Sequence, residues 1–348
     1  MSVTIKDIAK KTGVSYTTVS RALNGKSGVN QATMKKVLAE AKKMGYKPNA
    51  IARGLVTKHT KTIGLVIPDI TNPFFPTIAS GVEEAASKHH YNVFLCNTNW
   101  DKDKELAYLK LLQERRVDGI IIKAASDDEE IEQYLSTPTV FIDSRPAGGK
   151  YSSVETDNFR GGYLATNHLI ELGYKKIAFV GGHSKSISNE ARLEGYKRAL
   201  SQHNYPIDES IIQRGDFKMK SGYDLMQKLL KSDNLPDAVI AVNDVMALGV
   251  LHCAQEYGLN IPDEFGICGF DNIPFAELPQ VQLTTISQPT YYMGKSSFEI
   301  LLEQIQNKDE KKMIKRVVLE PELIVRKTTR SEKANLKVQN VLKEIVNS

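Results

Sequence analysis

Two groups of residues in this chain have types and spacings suited to recognition chemistry. The first is Tyr16, Thr17, Thr18, Ser20 and Arg21, five hydrogen-bonding side chains within six positions. Groups of this kind reach the base edges and phosphates of nucleic acid. The second is dispersed: Asn72, Phe74, Phe75, Asp143, Arg145, Arg192, Phe217, Asn243, Asp271 and Gln288. Aromatic faces stack on the C–H surfaces of a polyol. Carboxylates, amides and guanidinium groups hold its hydroxyls in fixed geometry. Catalytic signals are missing. There is no G-x-S-x-G, no H-E-x-x-H and no dinucleotide fingerprint. Gly25-Lys26-Ser27 resembles the end of a phosphate loop, but the required glycine at position 20 is Ser20. No catalytic residue, cofactor or enzyme activity is expected. Cys96, Cys253 and Cys268 each lie in an apolar stretch and read as reduced core thiols. No ligand pairs at short spacing suggest a metal.

The first group needs helices to present it. In Thr4–Asn24, Thr4 can cap a helix with Asp7 three residues on. Ile5, Ile8 and Ala9 form its apolar face, and Gly13 can end it. Ser15 can cap a second helix with Val19, Ala22 and Leu23 inward. Tyr16, Thr17, Thr18, Ser20 and Arg21 are left on or near its other face. This is the layout of a helix-turn-helix, whose second helix enters the major groove. Asn30 can cap a third helix with Met34, Val37, Leu38 and Ala41 as its apolar stripe and Gly45 at its end. Residues 1–60 hold twelve Lys and Arg against two acids, Asp7 and Glu40, a net of +10. The whole chain carries +5, so residues 61–348 carry −5. A basic head on an acidic body suits a binder of the phosphate backbone. Between the two runs Tyr46–Thr57, with Pro48 and Asn49 opening a helix of about two turns. That is too short to hold itself in water. Its Ile51, Ala52, Leu55 and Val56 have no obvious core to join.

The second group needs strands. From residue 61 apolar runs alternate with helical stretches, first through GLVI, VFLC, GIII and TVFI, and then through a second, similar set. Such runs suit strands buried on both faces, and the alternation means parallel βαβ units. Helices are expected over 77–88, 104–115, 128–135 and from about 291 to 306, the last returning to the first half. Linking pieces are read near Glu155–Asn158 and Ser287–Pro289. In an open parallel sheet, ligands bind beyond the carboxyl ends of the strands. All of the second group falls at such ends, in both halves. The residues also suit local roles: Phe74 and Phe75 as core at a helix start, and Asp69, Asp271 and Asn243 as caps.

VTIKDIAKKTGVSYTTVSRALN, GYKPNAIARGLVTKHTKTIGLVIPDITNPFF, GFDNIP and TTISQPTYYMG occur in this order. Together they closely resemble the lactose-repressor/galactose-repressor (LacI/GalR) family over about 1–330. The resemblance implies an all-α helix-turn-helix domain followed by an α/β core. That core has two subdomains with parallel sheets, similar to periplasmic sugar-binding proteins. The implied divisions are 1–48 for DNA binding, 49–60 for a hinge helix and linker, and 61–330 for an effector-binding and dimerisation core. Within it, one subdomain spans about 61–157 with 290–320, and the other 158–288. It implies a transcriptional repressor that binds a palindromic operator as a homodimer under control of a small sugar, ribose first among candidates. Thr4, Ser15, Tyr16, Thr17, Thr18, Arg21, Asn24, Asn49, Ala52, Arg53 and Leu55 would face DNA, with Leu55 wedging the minor groove. The effector residues would be the second group above. Two stretches depart from the pattern. Asp143-Ser144-Arg145 differs from the Asp-Arg pair of ribose-binding proteins, and Ser184–Ser188 differs from the purine-responsive branch. Catabolite-control relatives offer an alternative, a response to a phosphorylated carrier protein or phosphosugar, and purine corepression is another. The tail, 331–348, carries Val338, Val341, Leu342, Ile345 and Val346 at helical spacing, suited to docking or to joining dimers into a tetramer. No signal segment or membrane span is read, so a cytoplasmic protein is expected.

Overall fold

The computed structural model describes residues 3–25, 27–46, 59–125, 129–143, 149–184, 186–307 and 314–331. The chain divides into two units, 1–60 and 61–348.

The first unit is built from α1 (Ile5–Thr12), α2 (Tyr16–Leu23) and α3 (Gln31–Lys43). Each starts on the side chain expected to cap it. Thr4 and Asp7 form a reciprocal capping box, Ser15 accepts from the Thr18 amide, and Asn30 from the Thr33 amide. Gly13 ends α1 with a left-handed φ of 70°. Ile8, Val19, Ala22, Val37 and Ala41 are buried together, and Lys36 Nζ donates to the Thr12 carbonyl at 2.9 Å, tying α3 to α1. Leu38 departs from expectation. It is 45% exposed, because the face of α3 that meets the core is set by Val37 and Ala41, and Leu38 lies to one side of it.

The second unit contains two six-stranded sheets. The first has the order β11-β5-β4-β3-β1-β2. Its strands are β1 (Thr62–Ile67), β2 (Asn92–Asn97), β3 (Gly119–Ile122), β4 (Thr139–Ile142), β5 (Ser152–Thr156) and β11 (Arg316–Leu319), all parallel. The second has the order β12-β10-β9-β8-β6-β7. Its strands are β6 (Ile177–Gly181), β7 (Ile212–Arg214), β8 (Ala238–Ala241), β9 (Gly266–Asp271), β10 (Thr284–Ser287) and β12 (Glu322–Ile324). Only the β10–β12 pairing is antiparallel. The helices are α4 (Phe74–Lys88), α5 (Lys102–Glu114), α6 (Asn158–Glu171), α7 (Ile187–Gln202), α8 (Met219–Leu230), α9 (Asp244–Glu256) and α10 (Thr290–Gln306). As expected, α10 returns to the first half, where it packs on α4. Glycines set the spacing of three helix pairs: Gly81 with Gly294, Gly162 with Gly195, and Gly222 with Gly249. At each, a Cβ would meet a backbone carbonyl of the partner helix at 2.0–2.2 Å.

Four strands differ from the sequence reading. β5 and β10 are not expected as strands and run into the stretches read as linkers, because Ser152, Ser153, Thr156, Thr284 and Thr285 are buried hydroxyl residues in place of an apolar run. Their hydroxyls are bonded: Thr284 Oγ1 pairs with Thr329 Oγ1 at 2.9 Å, and Gln304 donates to Ser152 Oγ at 2.8 Å. β11 and β12 flank Pro321 and give one short strand to each sheet. The chain thus crosses between the sheets three times, near 157, 289 and 320. The helix expected over 128–135 is a 3-10 turn, Glu129–Tyr134. Strand β2, expected to be buried on both faces, is a sheet edge with Phe94 and Leu95 exposed.

Candidate functional site

Strand ends of both sheets converge on one cleft. From the first sheet, Asn72 turns the chain into α4, accepting from the Phe74 amide at 3.1 Å. Phe74 and Phe75 open that helix, their rings edge to face at 5.0 Å. Lys123 follows β3 and Asp143 follows β4. Lys123 Nζ donates to the Asp143 carbonyl at 2.9 Å and lies 3.2 Å from its Oδ2, both side chains buried. Burial by itself would raise the Asp143 carboxyl. The charges of Lys123 and Arg192 and the Asn158 amide outweigh it and hold Asp143 below the usual carboxylate range.

From the second sheet, Arg192 rises from the first turns of α7. Its Nε donates to Asn158 Oδ1 at 2.7 Å and its Nη1 to the Val242 carbonyl at 2.5 Å. The guanidinium lies 3.6 Å from the centre of the Phe270 ring and 3.9 Å from Asp271 Oδ1. Asn158 Nδ2 in turn donates to Asp143 Oδ1 at 2.9 Å, linking the two subdomains. Asp271 ends β9 at a φ of 123°, a conformation that L residues rarely adopt. Gln288 donates to its Oδ1 at 2.7 Å, while Gln288 Oε1 is buried and has no hydrogen-bond partner among the described residues. Burial pushes the Asp271 carboxyl well above its ordinary range, although Arg192 opposes this. Asn243 caps α9 through the Met246 amide and donates to the Phe217 carbonyl.

Behind Asp271 sits Asp244, fully buried. Its Oδ2 accepts from the Ile273 amide at 2.8 Å and its Oδ1 from Thr285 Oγ1 at 2.6 Å. Gly269 leaves room for it, since a Cβ there would stand 2.1 Å from Asp244 Oδ1. Asp244 thus fixes the backbone just after Asp271 from inside the sheet.

The cleft holds roughly 360 Å³ of empty space, part of it open to solvent. Phe75, Trp100 and Phe217 surround one side, with the Trp100 and Phe217 rings stacked at 4.9 Å and 16°. The four buried ionic side chains and the neighbouring amides form the floor. Such a cleft can hold a small, hydroxyl-rich ring against aromatic faces.

In the first unit, Tyr16, Thr17 and Arg21 are exposed on α2, Tyr16 to 51%. Thr18 and Ser20 are half-buried, Asn24 ends the helix, and Ser15 and Thr4 are committed to caps. A convex helix face with phenol, hydroxyl and guanidinium groups can enter a major groove.

Comparison with known proteins decides between general recognition and a particular family. Residues 4–49 match the family described as "Bacterial regulatory proteins, lacI family". Residues 60–326 match "Periplasmic binding proteins and sugar binding domain of LacI family". The chain belongs to the LacI family. It is 40% identical to Catabolite control protein A of Priestia megaterium over 89% of this chain and 94% of that protein. A LacI family regulator from Enterococcus faecium, solved with bound ribose, shares 36% identity with a TM-score of 0.70, covering 77% of this chain and 98% of that one. The lac repressor dimer, solved on operator with an anti-inducer, shares 28% identity with a TM-score of 0.84, covering 95% and 100%. This LacI-family chain is therefore a DNA-binding transcriptional regulator with an effector domain; its relatives are regulators and not enzymes. Among the described residues, no helix is long and apolar enough to cross a membrane.

Eight of the expected effector residues, Asn72, Phe74, Phe75, Asp143, Arg192, Phe217, Asn243 and Asp271, line this one cleft. Gln288 stands one layer behind, against Asp271. Asp69 instead bonds its own turn at Thr71 and is a local cap. Arg145, Asn49, Ala52, Arg53 and Leu55 lie outside the described residues, as does the tail beyond 331. The sequence reading missed Trp100, Lys123, Ser186 and Ser188 on the wall, and Asn158 as the hinge-side bridge. Trp100 and Lys123 both follow strands, so the strand-end rule applied to every strand would have found them.

The buried acids predict a pH effect. Burial, against the Thr285 hydrogen bond, pushes Asp244 up to about 7 from an ordinary 3.8. The folded chain then keeps a proton that the unfolded chain releases, so stability falls as pH climbs through that window. Asp244→Asn can donate to Thr285 and accept from Ile273 without titrating. Its melting temperature is expected to vary less across the window than that of the parent. Equal slopes in parallel thermal melts would assign the pH dependence to other groups.

Proposed function

We propose that this regulator binds a small neutral monosaccharide in the cleft, with ribose the first compound to test, and binds a pseudo-palindromic operator as a homodimer. One observation carries the effector assignment: the Lys123–Asp143 pair and Arg192, beside Asp271, meet beneath an aromatic wall. Each cation already has its acceptors, Lys123 in Asp143 and Arg192 in Asn158, the Val242 carbonyl and nearby Asp271, so a neutral polyol completes the site better than an anion does. The bound ribose of the Enterococcus faecium relative supports the choice of sugar. The dimer is supported by the lac repressor dimer and by the apolar edge at Phe94 and Leu95, which a second copy could cover. Effector closure would move one subdomain against the other, and linkage requires the coupling to operator to be reciprocal.

A titration tests the effector. At ~100 times its dissociation constant a ligand adds about 2.7 kcal/mol to folded stability, a melting rise of several degrees. Ribose should produce it and change operator affinity in the same samples. The 40% identity to Catabolite control protein A favours one alternative, control by a phosphorylated carrier protein or phosphosugar. If millimolar ribose does nothing while either of those acts, that alternative replaces the sugar.

On the DNA side, Arg21 is exposed on α2, and a guanidinium there suits two hydrogen bonds to a guanine. Arg21→Ala is expected to cost about 1–3 kcal/mol of operator affinity and to relax preference at one base pair. Equal weakening on every sequence would make Arg21 a phosphate contact instead. Log affinity should also fall steeply with log salt concentration.

A further inference from the structure

The chain has one tryptophan, and it stands at the mouth of the effector cleft. Trp100 belongs to the first subdomain, in the turn between β2 and α5. That turn is tightly fixed. The Thr98 amide donates to the Ile67 carbonyl at 2.9 Å, the Asp101 amide to the Thr98 carbonyl at 3.1 Å, and Asp101 caps α5. Asn99 and Trp100 are both left-handed, at φ 56° and 61°. Two successive non-glycine residues in that region are strained, and such strain persists where the surroundings over-determine it. Phe217 belongs to the second subdomain and is also left-handed, at φ 67°. Its carbonyl takes the Asn243 amide at 3.1 Å, and its ring packs over Gly182, where a Cβ would stand 2.1 Å from it. Both rings are thus aimed by their own subdomains before they meet. They stack at 4.9 Å and 16°, with His183 edge-on to both at 6.5 and 5.7 Å and Phe75 edge-on to Trp100 at 6.4 Å.

The stack joins the subdomains without a covalent link, apart from the three chain crossings. Stacked rings leave no space between them for a second ring. A ligand held in the closed cleft must lie beneath them, within its small volume.

We infer that Trp100 is a specificity-determining residue: stacked across the cleft on Phe217, it latches the subdomains closed and limits the effector to a single sugar ring. The inference rests on the sugar reading for its ligand arm only. The latch itself is a property of the chain without ligand.

Two measurements test it on the full-length protein. The first uses the single tryptophan as its own probe, without ligand. Phe217→Ala and Phe217→Leu remove the stacking partner and leave Trp100 in place. Once circular dichroism shows that either variant is folded, its emission should move to the red and acrylamide should quench it more readily than in the parent. Emission and quenching equal to the parent's would overturn the latch, whether or not any sugar binds. The second uses calorimetry with ribose, arabinose, glucose and the disaccharide cellobiose. An aromatic pair of this kind is worth up to about a tenfold change in an equilibrium constant. Trp100→Ala should weaken the monosaccharide that the parent binds by about that factor and should gain cellobiose binding. Trp100→Phe should restore most of the affinity and the exclusion. Trp100→Ala with the parent's affinity and its exclusion of cellobiose would overturn the size limit. A parent that binds none of the four sugars would refute the sugar reading and with it the size limit, leaving the emission result to decide the latch.

Discussion

Arg192→Ala is expected to abolish the melting shift that the effector produces while operator binding stays in place. Arg192 is 5% exposed and gathers Asn158, the Val242 carbonyl, the Phe270 face and Asp271 around one guanidinium. Burial lowers its basicity, and Asp271, Asp143 and Asp244 oppose that shift. Removing it leaves buried Asp271 without its neighbouring cation. Breaking a buried pair in this way costs about 3–5 kcal/mol. The variant should therefore melt lower, and ligand should not raise it. Arg192→Met keeps much of the side-chain bulk and removes the fork of donors. It separates the lost packing from the lost hydrogen bonds: a stabler protein than the alanine variant, still blind to effector. A full melting shift in either variant would remove Arg192 from the site. The operator head, residues 1–60, forms its own unit and does not contain Arg192. Operator affinity without effector should therefore change little.

Leu55→Ala is expected to cost most of the specific operator affinity and the DNA bend, with effector affinity unchanged. Residue 55 lies outside the described residues, and the sequence of 49–57 motivates the expectation. A helix of two turns is too short to stand in water, and its apolar residues need a partner. The family resemblance supplies one, the minor groove, where an apolar side chain wedges a base step open. Unstacking costs a few kcal/mol, recovered by the wider contact that bent DNA allows. Without the wedge the bend loses its cause, and the specific complex should approach non-specific affinity. Energy transfer between the ends of a labelled operator reads the bend directly. An unchanged bend with Leu55→Ala would assign the specificity to α2 alone.

What could be read without a fold was local. Thr4, Ser15 and Asn30 cap the helices they precede, because a cap and its amide lie three residues apart and both are visible in one short string. The alternation of apolar runs and helices gave two sets of parallel units. The rule that ligands sit at strand ends then named eight of the residues lining the cleft before any could be seen to meet. Tertiary structure decided the rest. Asn158 bridges Asp143 and Arg192, Lys123 pairs with Asp143, and Trp100 finds Phe217 on the other subdomain. Their partners lie far away in sequence, and no spacing rule connects them. β5 and β10 escaped because their buried residues are serines and threonines, whose inward position depends on hydroxyl partners from other segments such as Thr329 and Gln304. Exposure of Phe94 and Leu95 was hidden for the same reason. An apolar run specifies that a strand prefers to be covered, but its place at the edge of the sheet is fixed only when all six strands have taken their order.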